Sequence, residues 1–346
     1  MDSAGVCIIT GQIEEAINRQ LATLRASSVT VLCDENTAAQ CYPLIQSSLP
    51  AHHLITVPSG EEHKNIEGAV RIWDYLTRFH IDRKGVLIVL GGGVLGDMGG
   101  FCAATYKRGI RFILVPTTLL AQVDASVGGK LGIDFGNYKN HIGVFRQPEA
   151  TIIDTRFLQT LPASELRSGF AEVIKHCFLS DPEKWQRVRK TNLQGQDWQE
   201  LVAHSVNFKQ SVVEQDPLES GLRKILNFGH TIGHAVESKS LEGHNRLLHG
   251  EAIAIGMICE SWLAVKKGLL TQESLDELKD YILSIFGHRN PEGADEELIA
   301  LMLQDKKSAD GKILLALADG KGGYQWDVEA IAGEIADSLA YYRSLA

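Results

Sequence analysis

An α/β N-terminal domain built on a parallel sheet, followed by a mainly α-helical C-terminal domain, is the fold class that this 346-residue sequence predicts. Three observations predict it. Short β-branched runs alternate with helical patterns as far as Leu161-Pro162. Those runs are apolar almost throughout, as strands covered on both faces must be. Beyond Pro162 the apolar residues recur at helical spacing instead.

Taken in order, Val29-Leu32, Leu54-Val57, Val86-Leu90, Phe112-Val115 and Thr151-Ile153 read as strands. Leu166, Phe170, Ile174 and Cys177 then fall on one helical stripe, and the segments 199–213, 227–239, 250–266 and 273–285 also read as helices. The boundary falls near Pro162, giving domains 1–162 and 163–346. A ligand held between two unlike domains is expected in their cleft.

Composition narrows the function classes. Hydrophobic content of 44% and charged content of 22% are those of a globular chain. A net charge of -9 argues against nonspecific binding to nucleic acid or to an anionic membrane. The six cysteines (Cys7, Cys33, Cys41, Cys102, Cys177 and Cys259) form no CxxC pair and no disulfide framework. No apolar run is long enough to span a bilayer, and the start of the chain lacks a leader pattern, so a reducing cytoplasm is expected.

Two motifs carry chemistry. Gly91-Gly92-Gly93-Val94-Leu95-Gly96-Asp97 follows a strand and opens a helix, so bare backbone N–H groups can approach a diphosphate there. A glycine turn of this kind can also serve packing alone. The acidic ribose partner expected about 20 residues later is missing from Arg111–Thr118, and Asp34, ending the first strand, is the better candidate. The second motif is Asn227-Phe228-Gly229-His230-Thr231-Ile232-Gly233-His234, followed by Leu248-His249-Gly250-Glu251-Ala252. His230 and His234 share one helix face and His249 opens the next apolar helix, which points to a divalent metal. Thr231 stands where a helical zinc peptidase needs its glutamate, so peptidase chemistry is excluded. Spacing alone leaves His244 competing with His249 as third ligand, and Glu237 shares the face of the pair.

Together with Pro58-Ser59-Gly60-Glu61-Glu62-His63-Lys64, Val115-Pro116-Thr117-Thr118, the run Gln122 to Lys130, Lys139-Asn140 and Ala171-Glu172-Val173-Ile174-Lys175, these motifs resemble the 3-dehydroquinate synthase family. The resemblance runs from about Asp34 to Lys307, in order and with compatible spacing. It implies an NAD-binding α/β domain, a helical metal-binding domain, and a homodimer. The implied reaction converts 3-deoxy-D-arabino-heptulosonate 7-phosphate, a small phosphorylated sugar acid, to 3-dehydroquinate and phosphate in the shikimate pathway of aromatic amino acid biosynthesis. NAD would be reduced and reoxidised within each turnover.

The resemblance also implies roles. Glu172, His230 and His249 become ligands of zinc or cobalt, a donor set that leaves a coordination position open. His234 becomes a proton-transfer and phosphate-contacting group. Asp34, Glu61, Lys64, Gly92, Gly93, Asp97, Thr117, Thr118 and Thr160 become dinucleotide contacts, though each threonine could equally be a turn or capping residue. Arg108, Asp124, Lys130, Lys139, Asn140, Lys175, Lys209, Glu219, Arg223, Asn227 and Lys306 are the remaining polar matches, with Lys307 an alternative to Lys306. Seven of the eleven are cationic in a net-acidic chain, which suits a substrate bearing carboxylate and phosphate. Leu131 and Asp134 depart from the usual threonine and asparagine at positions given no chemistry.

Three other functions fit less well. A cyclase for a neutral sugar phosphate has no carboxylate for Arg223 and Asn227, and a polyol dehydrogenase has little use for Lys130, Lys139 and Arg223 together. A catalytically dead, metabolite-binding paralogue would have lost a ligand or the basic cluster, and neither loss is present.

Overall fold

The computed structural model describes residues 6–125, 127–136, 138–243, 246–304 and 312–346. The chain forms two compact units, Met1–Leu166 and Arg167–Ala346.

In chain order the first unit contains β1 (Val6–Ile9), α1 (Ile13–Leu24), β2 (Val29–Asp34), α2 (Glu35–Gln40), β3 (His53–Val57), α3 (Ile66–Arg78), β4 (Val86–Gly91) and α4 (Gly93–Thr105). β5 (Arg111–Pro116), β6 (Lys130–Phe135), β7 (Tyr138–Phe145) and β8 (Ala150–Ile153) follow. Six strands form one sheet in the order β1-β8-β5-β4-β2-β3, with every pairing parallel. The five strands expected from sequence are all present, and β1 adds one edge.

Successive side chains of a strand point to opposite faces, and here both faces are buried. Leu32, Leu87, Val89, Phe112 and Leu114 enter the core formed with α3 and α4. Val31, Ile88, Leu90, Ile113 and Val115 enter a second core with α1. This is why those strands read as continuous apolar runs instead of alternating ones. β6 and β7 form a separate antiparallel hairpin. All but one residue of β7 are exposed, so it lacks the buried pattern that marked the other strands.

The second unit is led by α5 (Ala163–Ser180), then α6 (Pro182–Val188), α7 (Trp198–Gln215), α8 (His230–Ser240), α9 (His249–Lys266), α10 (Gln272–Phe286) and α11 (Asp295–Gln304). A hairpin of β9 (Ile313–Ala318) and β10 (Tyr324–Ala330), and α12 (Ala332–Arg343), complete it. Phe170, Ile174 and Cys177 of α5 are buried as their spacing predicts. The segment expected as helix from residue 227 instead runs as a short 3-10 turn to Asn227, and the α-helix begins at His230. The break is Gly229, whose φ of 79° is left-handed backbone available to glycine at little cost.

α9 packs against α8 at a distance only glycine permits. A Cβ on Gly256 would lie 1.9 Å from the Gly229 carbonyl oxygen, and one on Gly233 2.9 Å from Ile253 Cδ1. Gly256→Ala is therefore expected to force the two helices apart and destabilise the protein by about 1–3 kcal/mol or more. Gly333→Ala, in α12 with nothing within 4 Å of the added carbon, is expected to gain up to about 1 kcal/mol. Denaturant titration of the two variants checks both signs.

Candidate active site

In the first unit, β2, β4 and β5 are parallel neighbours, so Asp34, Gly91 and Pro116 end on the same edge of the sheet. β2 connects outward to β3 while β4 lies on its other side. The crevice between them is a switch point in strand order, where α/β sheets bind ligands. Gly92 precedes the first turn of α4 and offers no side-chain cap. Its Cβ would lie 3.0 Å from Thr118 Cγ2, and one on Gly93 would lie 3.3 Å from the Ala125 Cβ. The turn thus presents bare N–H groups at a helix N-terminus, which suits a diphosphate.

The other residues expected to contact a dinucleotide divide into two groups. Lys64 and Asp97 come together in a partly buried ion pair at 2.6 Å, while Glu61 lies in the short turn Glu61–His63 just before Lys64. Asp34 Oδ1 accepts the Thr37 N–H at 2.8 Å and caps α2, so at least one of its oxygens has a local structural partner. Thr118 Oγ1 accepts the Ala121 N–H, Thr160 donates to the Phe157 carbonyl, and the Thr117 N–H donates to the Gly91 carbonyl. Thr118 and Thr160 thus each make the local bond of a turn or capping residue.

Lys130 opens β6, and Lys139 and Asn140 lie on the exposed strand β7. Asn140 has a φ of 51°, and its N–H donates to Asp134 Oδ1 at 2.7 Å. Asp134, given no role from sequence, thus holds the backbone beside Lys139. Asp124 lies in the turn Ala121–Ala125 after β5. Arg108 lies away from the glycine turn. It follows α4 in a turn where Lys107 and Arg108 both have positive φ, near the start of β5 at the sheet edge opposite the glycine turn.

In the second unit α5, α8 and α9 bring Glu172, His230 and His249 together. Glu172 is wholly buried. His230 Nε2 and His249 Nε2 lie 3.4 and 3.7 Å from its Oε1. That oxygen has no hydrogen-bond partner among the described residues. Two donors on a tetrahedral zinc at about 2.0–2.2 Å lie about 3.3–3.6 Å apart, so the spacing suits three ligands around one ion. A solvated Glu172 is excluded by its burial, although its Oε2 does pair with Lys175 as the structural alternative required. His234, Glu237 and His249 form an overlapping group. There, however, Glu237 Oε2 is hydrogen-bonded to His249 Nδ1 at 3.0 Å, the far side of the ring from Glu172. Glu237 is thus placed to orient a candidate ligand, a role that sequence spacing cannot tell from that of a rival ligand.

Electrostatics agree with this division. Burial pushes the Glu172 carboxyl up, but Lys175, with His249 and His176, outweighs it and holds the group well below the ordinary carboxylate range. Burial, then Lys175 and the neighbouring histidines, drives His230 well below its ordinary value. Burial opposes the proton on His249 too, yet Glu172 and Glu237 raise that imidazole to about 9. A cation bound by these three would take the place of a proton.

Around the cluster, Lys175 Nζ donates to the Leu226 carbonyl at 2.7 Å, and Lys209 and Arg223 are buried in the same unit. Asn227 Nδ2 donates to Glu219 Oε1 at 2.9 Å, so these two expected site residues meet. His234 is exposed, with its ring centroid 5.0 Å from that of His230. Lys306, its alternative Lys307, and His244 lie outside the described residues.

The family profile for 3-dehydroquinate synthase N-terminal matches residues 54–168, and that for 3-dehydroquinate synthase C-terminal matches residues 169–308. The chain belongs to the 3-dehydroquinate synthase family. It is 37% identical over 343 residues to the 3-dehydroquinate synthase of Parabacteroides distasonis, covering 97% of each chain. It is 43% identical over 303 residues to that of Legionella pneumophila, covering 85% of this chain and 80% of the relative. Among solved structures it is similar to 2-epi-5-epi-valiolone synthase from Streptomyces hygroscopicus, bound to NAD+ and Zn2+. The TM-score is 0.88 at 25% identity, over 100% of this chain and 98% of that one. 2-Deoxy-scyllo-inosose synthase, at 20% identity, shares the fold with a TM-score of 0.84, over 97% of this chain and 96% of that one. Family members are cyclases, so this chain is an enzyme of that class. Among the described residues no helix is long and apolar enough to cross a membrane.

The loop that carries Glu219 and Arg223 is tied to Asp216. Its two oxygens accept the N–H groups of Ser220, Gly221 and Arg223 at 3.0, 2.8 and 3.0 Å. These bonds, led by Gly221, pull the Asp216 carboxyl down to about 2. A depressed carboxylate stabilises the fold above its unfolded value of about 3.9 and loses that contribution as pH falls through the folded one. Wild type is therefore expected to lose thermal stability between about pH 4 and about pH 2 more steeply than Asp216→Asn. Melting curves across that range compare the two slopes.

Proposed function

We propose that this enzyme converts 3-deoxy-D-arabino-heptulosonate 7-phosphate to 3-dehydroquinate and phosphate. The observation that carries the reading is the buried Glu172–His230–His249 cluster in a chain that also buries Lys175, Lys209 and Arg223. A net-acidic protein buries several cations only where anions or close partners compensate them. The substrate offers both a carboxylate and a phosphate.

Glu172, His230 and His249 hold the metal, zinc or cobalt, and the glycine turn with Lys64 and Asp97 holds NAD. When bound, the two supply a Lewis acid for the alcohol to be oxidised and a reversible hydride acceptor. Arg223, with Asn227 beside Glu219, takes the substrate carboxylate, which a planar guanidinium can grip with two N–H groups. Lys130, Lys139, Asn140, Lys175, Lys209 and Lys306 orient the phosphorylated chain and neutralise its charge, and Asp124 orders its hydroxyls. His234 stands beside the metal ligands to shuttle a proton as phosphate leaves. The protein's main contribution is to hold geometry and stabilise charge through oxidation, elimination, re-reduction and ring closure.

A related cyclase acting on a neutral phosphorylated sugar is the second reading, favoured by the TM-score of 0.88 to 2-epi-5-epi-valiolone synthase. Arg223 and Asn227 have no carboxylate to bind in that case. Phosphate release from the heptulosonate phosphate, dependent on added NAD+ and without accumulation of NADH, is the expected result. Release from a neutral sugar phosphate instead selects the second reading, and stoichiometric NADH selects a dehydrogenase. Arg223→Lys is expected to lose most kcat/KM while still binding metal and NAD. His249→Ala is expected to lose stoichiometric metal.

The reading extends to a homodimer. Arg108 lies at the far end of α4 from the glycine turn, and the helix's 13 residues put about 20 Å between them. The Arg108 side chain is exposed there, a placement that supports a role at a neighbouring copy's phosphate. Arg108→Ala and His234→Ala homodimers are each expected to be severely impaired. A mixed dimer has one complete site, so random reassortment restores at most about one quarter of wild-type activity. No recovery after demonstrated exchange would assign Arg108 to its own subunit or to no role.

A further inference from the structure

Behind His230 the second unit contains a carboxylate that the proposed reaction does not use. Glu260 lies eleven residues after His249 on α9, about three helical turns, so the two share one stripe of the helix. It is fully buried. Its Oε2 accepts the Gly229 N–H at 2.7 Å, and its Oε1 accepts the Ile232 N–H at 3.3 Å. These amides belong to the N-terminus of α8, where an acceptor is needed and a negative charge is favoured. α8 cannot supply that acceptor at its own N-cap. Residue 229 is a glycine in left-handed backbone, and a Cβ there would lie 2.6 Å from Met257 Cγ.

The Gly229 N–H shares one planar peptide unit with the Phe228 carbonyl. That carbonyl accepts the His230 Nδ1–H at 3.2 Å, leaving Nε2 to face Glu172 Oε1 at 3.4 Å. The described chain has no cis peptide, so the N–H and C=O of this unit point in opposite directions, one toward Glu260 and one toward the ring. A continuous line of contacts therefore runs from α9, through one rigid peptide plane, to the imidazole.

We propose that Glu260 is the positioning residue of His230, holding the Phe228–Gly229 peptide so that the ring keeps its Nδ1–H tautomer and aims Nε2 at the cation position beside Glu172. This inference rests on the metal reading of the Glu172–His230–His249 cluster. Burying a carboxylate is costly, and two backbone amides offset that cost only while both oxygens accept. Glu260→Gln keeps the shape but turns an NH2 group toward one of the amides.

The test measures zinc affinity by competition with a chromophoric chelator, alongside the melting temperature and the histidine ring tautomers by NMR of 15N-histidine-labelled protein. Wild type is expected to bind one zinc per chain, with His230 in the Nδ1–H form. Glu260→Gln is expected to fold but to bind zinc about ten-fold more weakly, the low end for an outer-shell partner of a metal ligand, with altered His230 ring signals. Ile282→Val, a conservative change at a buried site in α10, is expected to lower the melting temperature and leave zinc affinity unchanged. If Glu260→Gln does not accumulate as folded protein, Glu260→Asp, which withdraws the carboxylate by one methylene, is read the same way. Wild-type zinc affinity in the folded variant, whatever its melting temperature, overturns the proposal, as does His230 found as the Nε2–H tautomer in zinc-loaded wild type. A wild-type chain that binds no zinc overturns the metal reading itself, a separate and recognisable failure.

Discussion

Helices α8 and α9 approach until the Gly229 carbonyl lies where a side chain on residue 256 would begin, and the arrangement of the second unit depends on that approach. Glycine at 229, 233 and 256 permits it. With the helices so close, His230 and His234 on one and His249 on the other bring their rings within 6 Å of one another. The same contact lets Glu260 reach across to the first amides of α8. Any bulk between the helices would separate the histidines and uncap the helix together.

Burial then sets the chemistry. Glu172 is buried away from solvent, and what compensates its charge is Lys175 on one side and the protonated His249 on the other. Each imidazole has its other nitrogen engaged, His230 by the Phe228 carbonyl and His249 by Glu237. These contacts fix the orientation of both rings, which is the usual means by which outer contacts tune a metal site. The first unit works differently. Its sheet presents backbone amides at a glycine turn, and a buried Lys64 is paired with a partly exposed Asp97.

Much of this was legible along the chain, for particular reasons. β4 and β5 are sandwiched between two cores, so every residue from Val86 to Leu90 and from Phe112 to Val115 is apolar and the strands stand out without alternation. α5 announced itself because Phe170, Ile174 and Cys177 bury one stripe. The exposed strand β7 carries no such signal, since a strand with solvent around it need not be apolar. Glu237 was visible on the right helix face, but sequence spacing cannot tell a ligand from the residue that orients one. Glu260 sits on the His249 stripe of an almost wholly buried helix, and that position was its only linear signal. Asp134 looked like a neutral departure from the family pattern, yet it holds the backbone of Asn140.

The sequence by itself determined the two-part architecture, the glycine turn and the set of residues able to carry the chemistry, because apolar periodicity and motif order are properties of neighbours along the chain. Only the tertiary structure decided which carboxylate faces the two imidazoles and which merely orients one. Those assignments depend on how closely helices pack and which atoms lose contact with water, and both are set by residues far apart in sequence.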